Sequence, residues 1–258
     1  MTVNSLESYK VLGVNVSAVQ ISDVIRQMDE WIEERSYGHF IAVTNTHVIT
    51  ESWFNPGYKR ILNSADYVVP DGMPLVWLGR IDGYSLKRRV YGPELMERFL
   101  LDEKGRKRRH FLYGGKPGVP ERLIKNLTLS CPELSFVGSY SPPFRPLTPE
   151  EDKTVIDMVN DLGPDVVWVG LGAPKQEMWM HEHRHRLHVP LMVGVGAAFD
   201  FLAGVKSQAP SLLRENGFEW LWRLISEPRR LWRRYLLYGP LFVGLVMLEK
   251  TGILKFRN

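Results

Sequence analysis

A short apolar run, Tyr67-Val68-Val69, delivers Asp71 into a Pro70-Asp71-Gly72 turn, ahead of an apolar helical stretch from Pro74 to Ile81. Proline presets one backbone angle and glycine relaxes the next. The carboxylate is thereby fixed at the carboxyl end of a strand, where open α/β sheets gather their ligands. A carboxylate held there can take a proton as a general base. Pro-Asp-Gly is also an ordinary turn sequence, so the aspartate alone leaves both readings open. A second polar strand end, Thr44-Asn45-Thr46, follows the apolar run Phe40-Ile41-Ala42-Val43.

Later in the chain, three glycine-bearing loops sit between strand-like and helix-like segments. They are Gly114-Gly115-Lys116-Pro117-Gly118, Gly170-Leu171-Gly172-Ala173-Pro174 and Gly194-Val195-Gly196-Ala197-Ala198. Glycine lets a ligand approach the backbone, and the helix start after each loop offers free N–H groups with the positive end of the helix dipole. That combination suits a phosphate or diphosphate. Lys175 and Gln176, just after the second loop, can contact a phosphate or base, or simply begin a helix. Asp200, after the third, can take a ribose hydroxyl or serve as a short-helix polar residue. The cluster His181, His183, His185 and His188 is interspersed with Glu182, Arg184 and Arg186 and reads as a solvated charged helix rather than a metal site.

Several site signatures are missing from the sequence. No Gly-x-Gly-x-x-Gly follows the first strand, and there is no P-loop, no Gly-x-Ser-x-Gly elbow and no Asp-x-Asp pair to chelate a divalent ion on a diphosphate. Metal-independent chemistry without a cofactor is the expectation.

The elements that must position these residues follow from periodicity. Residues 11–16 read as a strand. A helix capped by Ser22 carries Val24, Ile25, Met28, Trp31 and Ile32 on one face. Strands near 40–43, 67–69, 111–113, 135–139, 166–169 and 191–193 alternate with helices, one of them opening at Pro93 and another spanning 148–162, while 102–109 reads as a charged turn. Strands joined by helical crossovers imply an α/β fold, a Rossmann-like, mostly parallel sheet with helices on both faces. Residues 1–210 form this core, with the nucleotide-binding half at about 105–210, and residues 211–258 form a C-terminal helical appendage.

The 258-residue chain is 44% hydrophobic and 24% charged, ordinary for a globular protein able to bury a sizeable core. Its single cysteine, Cys131, excludes an intramolecular disulfide and fits a reducing cytoplasm. Residues 1–10 lack the basic start and apolar core of an export signal, and the most apolar late segment, Leu236 to Leu248, is short and broken by Gly239, Pro240 and Gly244. Residues 206–258 carry ten Lys or Arg against four Glu, although the whole chain is only +4. There Trp220, Trp222, Trp232, Tyr235 and Tyr238 interleave with Arg223, Arg229, Arg230, Arg233 and Arg234, in helices separated at Pro228. This composition suits an anionic membrane surface, or a helical hairpin packed on the core with a basic outer face. A nucleic-acid partner would use the basic tail, in keeping with a sequence pI near 9.1, but leaves the three glycine loops without a role.

Six segments, taken in order, resemble the WecG/TagA/CpsF glycosyltransferase family, glycosyltransferase family 26. They are Thr44-Asn45-Thr46-His47, Pro70-Asp71-Gly72, Arg89 to Met96, Gly170 to Glu177, Gly194 to Asp200 and Glu219-Trp220-Leu221-Trp222-Arg223, within a likeness running from about Val11 to Leu248. Tyr91 and Pro93-Glu94 stand where many members carry other residues. The resemblance implies a GT-E type fold and a bacterial enzyme, peripheral on the inner face of the cytoplasmic membrane. Such an enzyme transfers a sugar with inversion and without metal from a UDP-sugar, of the N-acetylmannosamine, N-acetylmannosaminuronic acid or glucose type, to a polyprenyl-diphosphate-linked saccharide. The products serve cell-surface polysaccharide or teichoic acid synthesis. By the same likeness Asp71 is the general base, Arg89 assists at the diphosphate or acceptor, and Thr44 and Asn45 line the cleft. The nucleotide-sugar falls to Gly114, Gly172, Ala173, Lys175, Gln176, Gly196 and Asp200, and the lipid diphosphate to Arg223, Arg230 and Arg233. No nucleic-acid partner is expected, and a homo-oligomer is compatible with the sequence.

Overall fold

The computed structural model describes residues 7–210, 212–213 and 217–253. Residues 1–6 of the stretch read for an export signal lie outside the described residues, as do Ser211, where the appendage was expected to begin, and the basic residues Arg214, Lys255 and Arg257.

A hairpin of β1 (Ser8–Val11) and β2 (Val14–Ser17) replaces the single strand expected over 11–16. The chain reverses because Leu12 and Gly13 both take positive φ, 51° and 81°, as a two-residue hairpin turn of the I′ kind requires. In α1 (Ile21–Glu33), Gln20 rather than Ser22 holds the capping position, and the Asp23 carboxylate accepts from its N–H at 3.0 Å.

The six remaining strands are β3 (His39–Thr44), β4 (Tyr67–Pro70), β5 (Arg109–Gly114), β6 (Ser135–Tyr140), β7 (Val166–Gly170) and β8 (Leu191–Gly194). They form one parallel sheet in the order β4-β3-β8-β7-β5-β6. Crossover helices make the parallel arrangement. They are α2 (Thr46–Phe54) and α3 (Pro56–Asn63), then α4 (Met73–Ile81), α5 (Gly92–Leu101) and the single turn α6 (Glu103–Arg106), then α7 (Val119–Ser130), α8 (Pro149–Leu162) and α9 (Lys175–His183). The segment read as a charged turn thus holds α6, capped by the Asp102 carboxylate on the Lys104 N–H. After β8 come α10 (Ala198–Leu202), α11 (Glu219–Ser226), α12 (Pro228–Trp232), a π-helical turn (Arg233–Leu237) and α13 (Tyr238–Lys250).

Alternation along the strands sends side chains to both faces, so both are covered. On one, Val43, Val69, Leu112, Trp168 and Val193 meet α1, α5, α7 and α10. On the other, Phe111, Val167 and Val169 meet α8 and α9, while Ala42 and Val68 meet the hairpin, α2, α3 and α4. Phe242 and Val246 of α13 join that last cluster, so the appendage is anchored on the half of the sheet that carries Asp71.

Strand order also fixes where ligands can enter. The chain leaves β5 outward to β6 but leaves β7 inward to β8, and β5 and β7 are neighbours. Right-handed crossovers running in opposite directions put their helices on opposite faces, which opens a crevice at the carboxyl ends of that pair.

Candidate active site

The Asp71 turn is tied down on two sides. The Asp71 N–H donates to the Thr44 carbonyl at 2.8 Å, and the Val90 N–H donates to the Pro70 carbonyl at 2.8 Å. The first bond locks the ends of β3 and β4 together, and the second draws the Arg89 segment across them. Among the described residues nothing donates to Asp71 Oδ1, although it is buried. Burial pushes this carboxyl up to about 6; Arg89, Arg223 and Arg234 oppose the rise, and Glu219 adds to it. A group with that affinity is ionised at neutral pH and still basic enough to accept a proton.

Around it lies a network built from distant parts of the chain. One Arg89 nitrogen donates to the Asp71 carbonyl at 3.3 Å and the other contacts the Glu219 carboxylate. The Arg89 guanidinium also stacks 4.2 Å from the Tyr91 ring centroid. Tyr91 donates its hydroxyl hydrogen to Glu219 Oε1 at 3.1 Å, and Arg223 Nη1 lies 3.8 Å from that same oxygen. Glu219 is only 5% exposed. Its three partners satisfy it, as a buried carboxylate requires.

Thr44 is fully buried, with its hydroxyl donating to the Ala42 carbonyl at 3.2 Å. Asn45 caps α2, where its side-chain oxygen accepts from the N–H groups of His47 and Val48. Both side chains are therefore committed to backbone groups at the end of β3 and the start of α2. His47 follows on the first turn of α2, edge-on to Tyr238 of α13. Burial, helped by Arg234, pushes its imidazole down to about 4, so it is neutral at physiological pH.

Along the same carboxyl edge, two, three and four strands over from the Asp71 strand, lie the glycine loops after β8, β7 and β5. Gly196, after β8, sits 3.5 Å by its would-be Cβ from the Gln176 side-chain oxygen and 4.0 Å from the Gly172 Cα. Gly172 has φ +78° and open space where a Cβ would stand, room that a ligand can occupy. Gly114 serves differently: at φ +117° its would-be Cβ lies 2.7 Å from the Gly170 carbonyl carbon, so the glycine lets β5 and β7 end in contact. Gln176 is buried and already bonded, accepting from the Gly172 N–H at 3.1 Å and donating to Glu177 at 2.8 Å. Glu177, pushed up to about 7 by burial, is also held by the Tyr58 hydroxyl at 3.0 Å. Gln176 thus braces the loop. Ala173 is half-buried in that loop and Lys175 is exposed on the first turn of α9. Asp200 pairs with Lys206 at 3.0 Å, and Lys206 pairs in turn with Glu227 at 3.2 Å.

Of the appendage arginines expected at the site, Arg223 reaches it. Arg230 is exposed and paired with Glu227, and Arg233 is exposed beside the Trp232 ring. Arg234, which the sequence reading did not place in the site, is the half-buried one, within electrostatic reach of Asp71 and His47. Glu219 and Tyr91 were likewise absent from the expected site, although each stands in a segment that carries the family resemblance. Their partners lie 128 to 130 residues away in sequence, which spacing cannot reveal. Among the histidines, His183 is stacked on Trp179 and bonded to Asp152 at 2.8 Å, a structural post. Among the described residues no group of three or more His, Cys, Asp or Glu is placed to hold a metal ion.

Residues 9–255 match the family described as Glycosyl transferase WecG/TagA/CpsF family. Similar proteins include the N-acetylglucosaminyldiphosphoundecaprenol N-acetyl-beta-D-mannosaminyltransferases of Bacillus spizizenii, Bacillus subtilis and Staphylococcus aureus. The first is 30% identical over 236 residues, covering 92% of this chain and 89% of its own. The second is 28% identical, covering 84% and 82%. The third, from strain MW2, is 27% identical, covering 95% and 94%.

Proposed function

The chain belongs to the WecG/TagA/CpsF glycosyltransferase family, and from that premise we propose that it moves N-acetylmannosamine from UDP to N-acetylglucosaminyl-diphospho-undecaprenol. The transfer inverts the anomeric carbon and uses no metal ion. Asp71 takes the proton of the acceptor hydroxyl as that oxygen bonds to the anomeric carbon. The bond from that carbon to the β-phosphate oxygen breaks, and its electron pair leaves with UDP. The relatives' name specifies a β-linked product, an inversion from the usual α-linked nucleotide sugar. One carboxylate suffices for a single displacement, because a diphosphate leaves without an acid when its growing charge is met.

The observation that carries this reading is the buried, unbonded Oδ1 of Asp71 within electrostatic reach of Arg89, Arg223 and Arg234. Guanidinium groups can meet diphosphate charge where other transferases use a divalent cation. The open space above Gly172, with the start of α9 behind it, suits the nucleotide diphosphate. Gly114, Gly196, Ala173 and Gln176 shape that half of the cleft, and Lys175 and Asp200 stand at its rim.

No described helix is long and apolar enough to cross a membrane. Peripheral attachment to the inner face of the cytoplasmic membrane fits the appendage instead. Ile225, Leu236 and Met247 are 70%, 56% and 63% exposed there, alongside exposed Arg229, Arg230 and Arg233. Apolar side chains ringed by arginine are the composition of an anionic interface. Residues 211–258 then act as a membrane-facing unit laid over the 1–210 core.

A panel of UDP-sugars offered with a short-chain lipid-diphosphate N-acetylglucosamine tests the assignment. Transfer from UDP-N-acetylmannosamine is the expected outcome. Hydrolysis of donors with no lipid product would instead make this a nucleotide enzyme of another reaction class.

A further inference from the structure

Arg89 sits between two carboxylates and is bonded to only one of them. Its guanidinium contacts Glu219 and the Asp71 main-chain carbonyl, while Asp71 Oδ1, buried, accepts no hydrogen bond among the described residues. An arginine this close to a free carboxylate would ordinarily turn and pair with it. Three contacts oppose that turn. Tyr91 both stacks under the guanidinium and bonds Glu219, and Arg223 lies against the Glu219 oxygen that Arg89 does not contact, on a side chain that is itself only 5% exposed.

We propose that Glu219 is a positioning residue that holds the Arg89 guanidinium off the Asp71 carboxylate, so that docking of α11 on the core is what keeps the base free. This inference rests on the reading of Asp71 as the base. It makes base strength depend on the appendage. With α11 docked, Glu219 occupies Arg89 and adds a like charge near Asp71. With α11 away, Arg89 has one carboxylate left, and the base is masked. A site that becomes competent only when its cover is in place spares the donor from attack by water.

The groups facing Asp71 are Arg89 and Tyr91 from the segment before α5, Glu219 and Arg223 from α11, and Arg234 from the π turn. Of these, only Glu219 is a second carboxylate, so its neutral isostere isolates the effect. The experiment is the pH dependence of kcat/KM for transfer by the full chain as wild type, Glu219→Gln, Glu219→Asp and Asp71→Asn. In Glu219→Gln the acid limb should move down by about 1 pH unit or more, the shift expected when a carboxylate gains an arginine partner. The plateau should fall, because a weaker base transfers the proton less well. Glu219→Asp keeps the charge but draws it back by one methylene, and its limb should lie between the other two.

A merely structural glutamate would lower the rate at every pH and leave the limb in place. That result in Glu219→Gln, or in Glu219→Asp if the glutamine variant does not fold, overturns the proposal. Failure of the underlying reading looks different: Asp71→Asn would then keep both the wild-type plateau and its acid limb, whatever Glu219 does.

Discussion

At neutral pH the Asp71 carboxylate is ionised while its buried Oδ1 has no hydrogen-bond partner among the described residues, and that arrangement costs stability. Its carboxyl is raised from 3.8 to about 6 in the folded protein. Between those values the folded state holds a proton that the unfolded state has released, so stability from this group falls as pH rises through that window. Above about 6 the penalty is complete, on the order of 3 kcal/mol. Asp71→Asn should therefore be more stable than wild type at pH 7.5, by about 1–3 kcal/mol, and nearly equal to it below pH 4. Urea unfolding at the two pH values measures the difference. An asparagine variant less stable than wild type at pH 7.5 would show that the carboxylate is satisfied after all. The aspartate itself was legible in the sequence because Pro70 and Gly72 mark its turn. Glu219 was not, since its role exists only once Arg89 and Tyr91 fold against it.

At the scale of elements, the strand–glycine loop–helix units correspond to β5, β7 and β8 with their following helices, because periodicity and glycine are local signals. The local signal failed where a single backbone angle decides. Leu12 at φ 51° splits an apparent strand into a hairpin, and leucine gives no hint of that angle. It failed again in the appendage. The break at Glu227-Pro228 agrees with the division read at Pro228, but the chain then widens into a π turn that the spacing of the arginines does not announce. The changed phase leaves Arg233 exposed and turns Arg234 inward. Such π turns often mark functional sites. The glycines of the strand-end loops also divide by role, which sequence could not show. Gly114→Ala places a methyl group against the Gly170 backbone at a strained φ and should cost about 1–3 kcal/mol, read as a lower Tm together with weaker UDP binding. Unchanged values for both would mean that the β5–β7 junction does not need the glycine.

For the whole molecule, the sheet brings Asp71, Thr44, Asn45, Gly196, Gly172 and Gly114 to one edge, and the appendage lies across the Asp71 half of it. The same appendage carries the exposed side chains Ile225, Leu236 and Met247 on which the proposed membrane attachment rests. Replacing exposed Ile225 and Met247 by glutamate should reduce recovery on anionic phospholipid vesicles at least tenfold, since each charge opposes burial in the interface. Turnover of a water-soluble acceptor should persist. Equal vesicle recovery would make the appendage a cover for the site and nothing more. The base assignment stands under all of this, and its most direct test is the turnover of Asp71→Asn on a UDP-sugar and lipid-diphosphate acceptor that the wild type uses. Loss of the acceptor's proton carrier predicts a fall of about a hundredfold or more with the fold intact, whereas near-wild-type turnover would contradict the account.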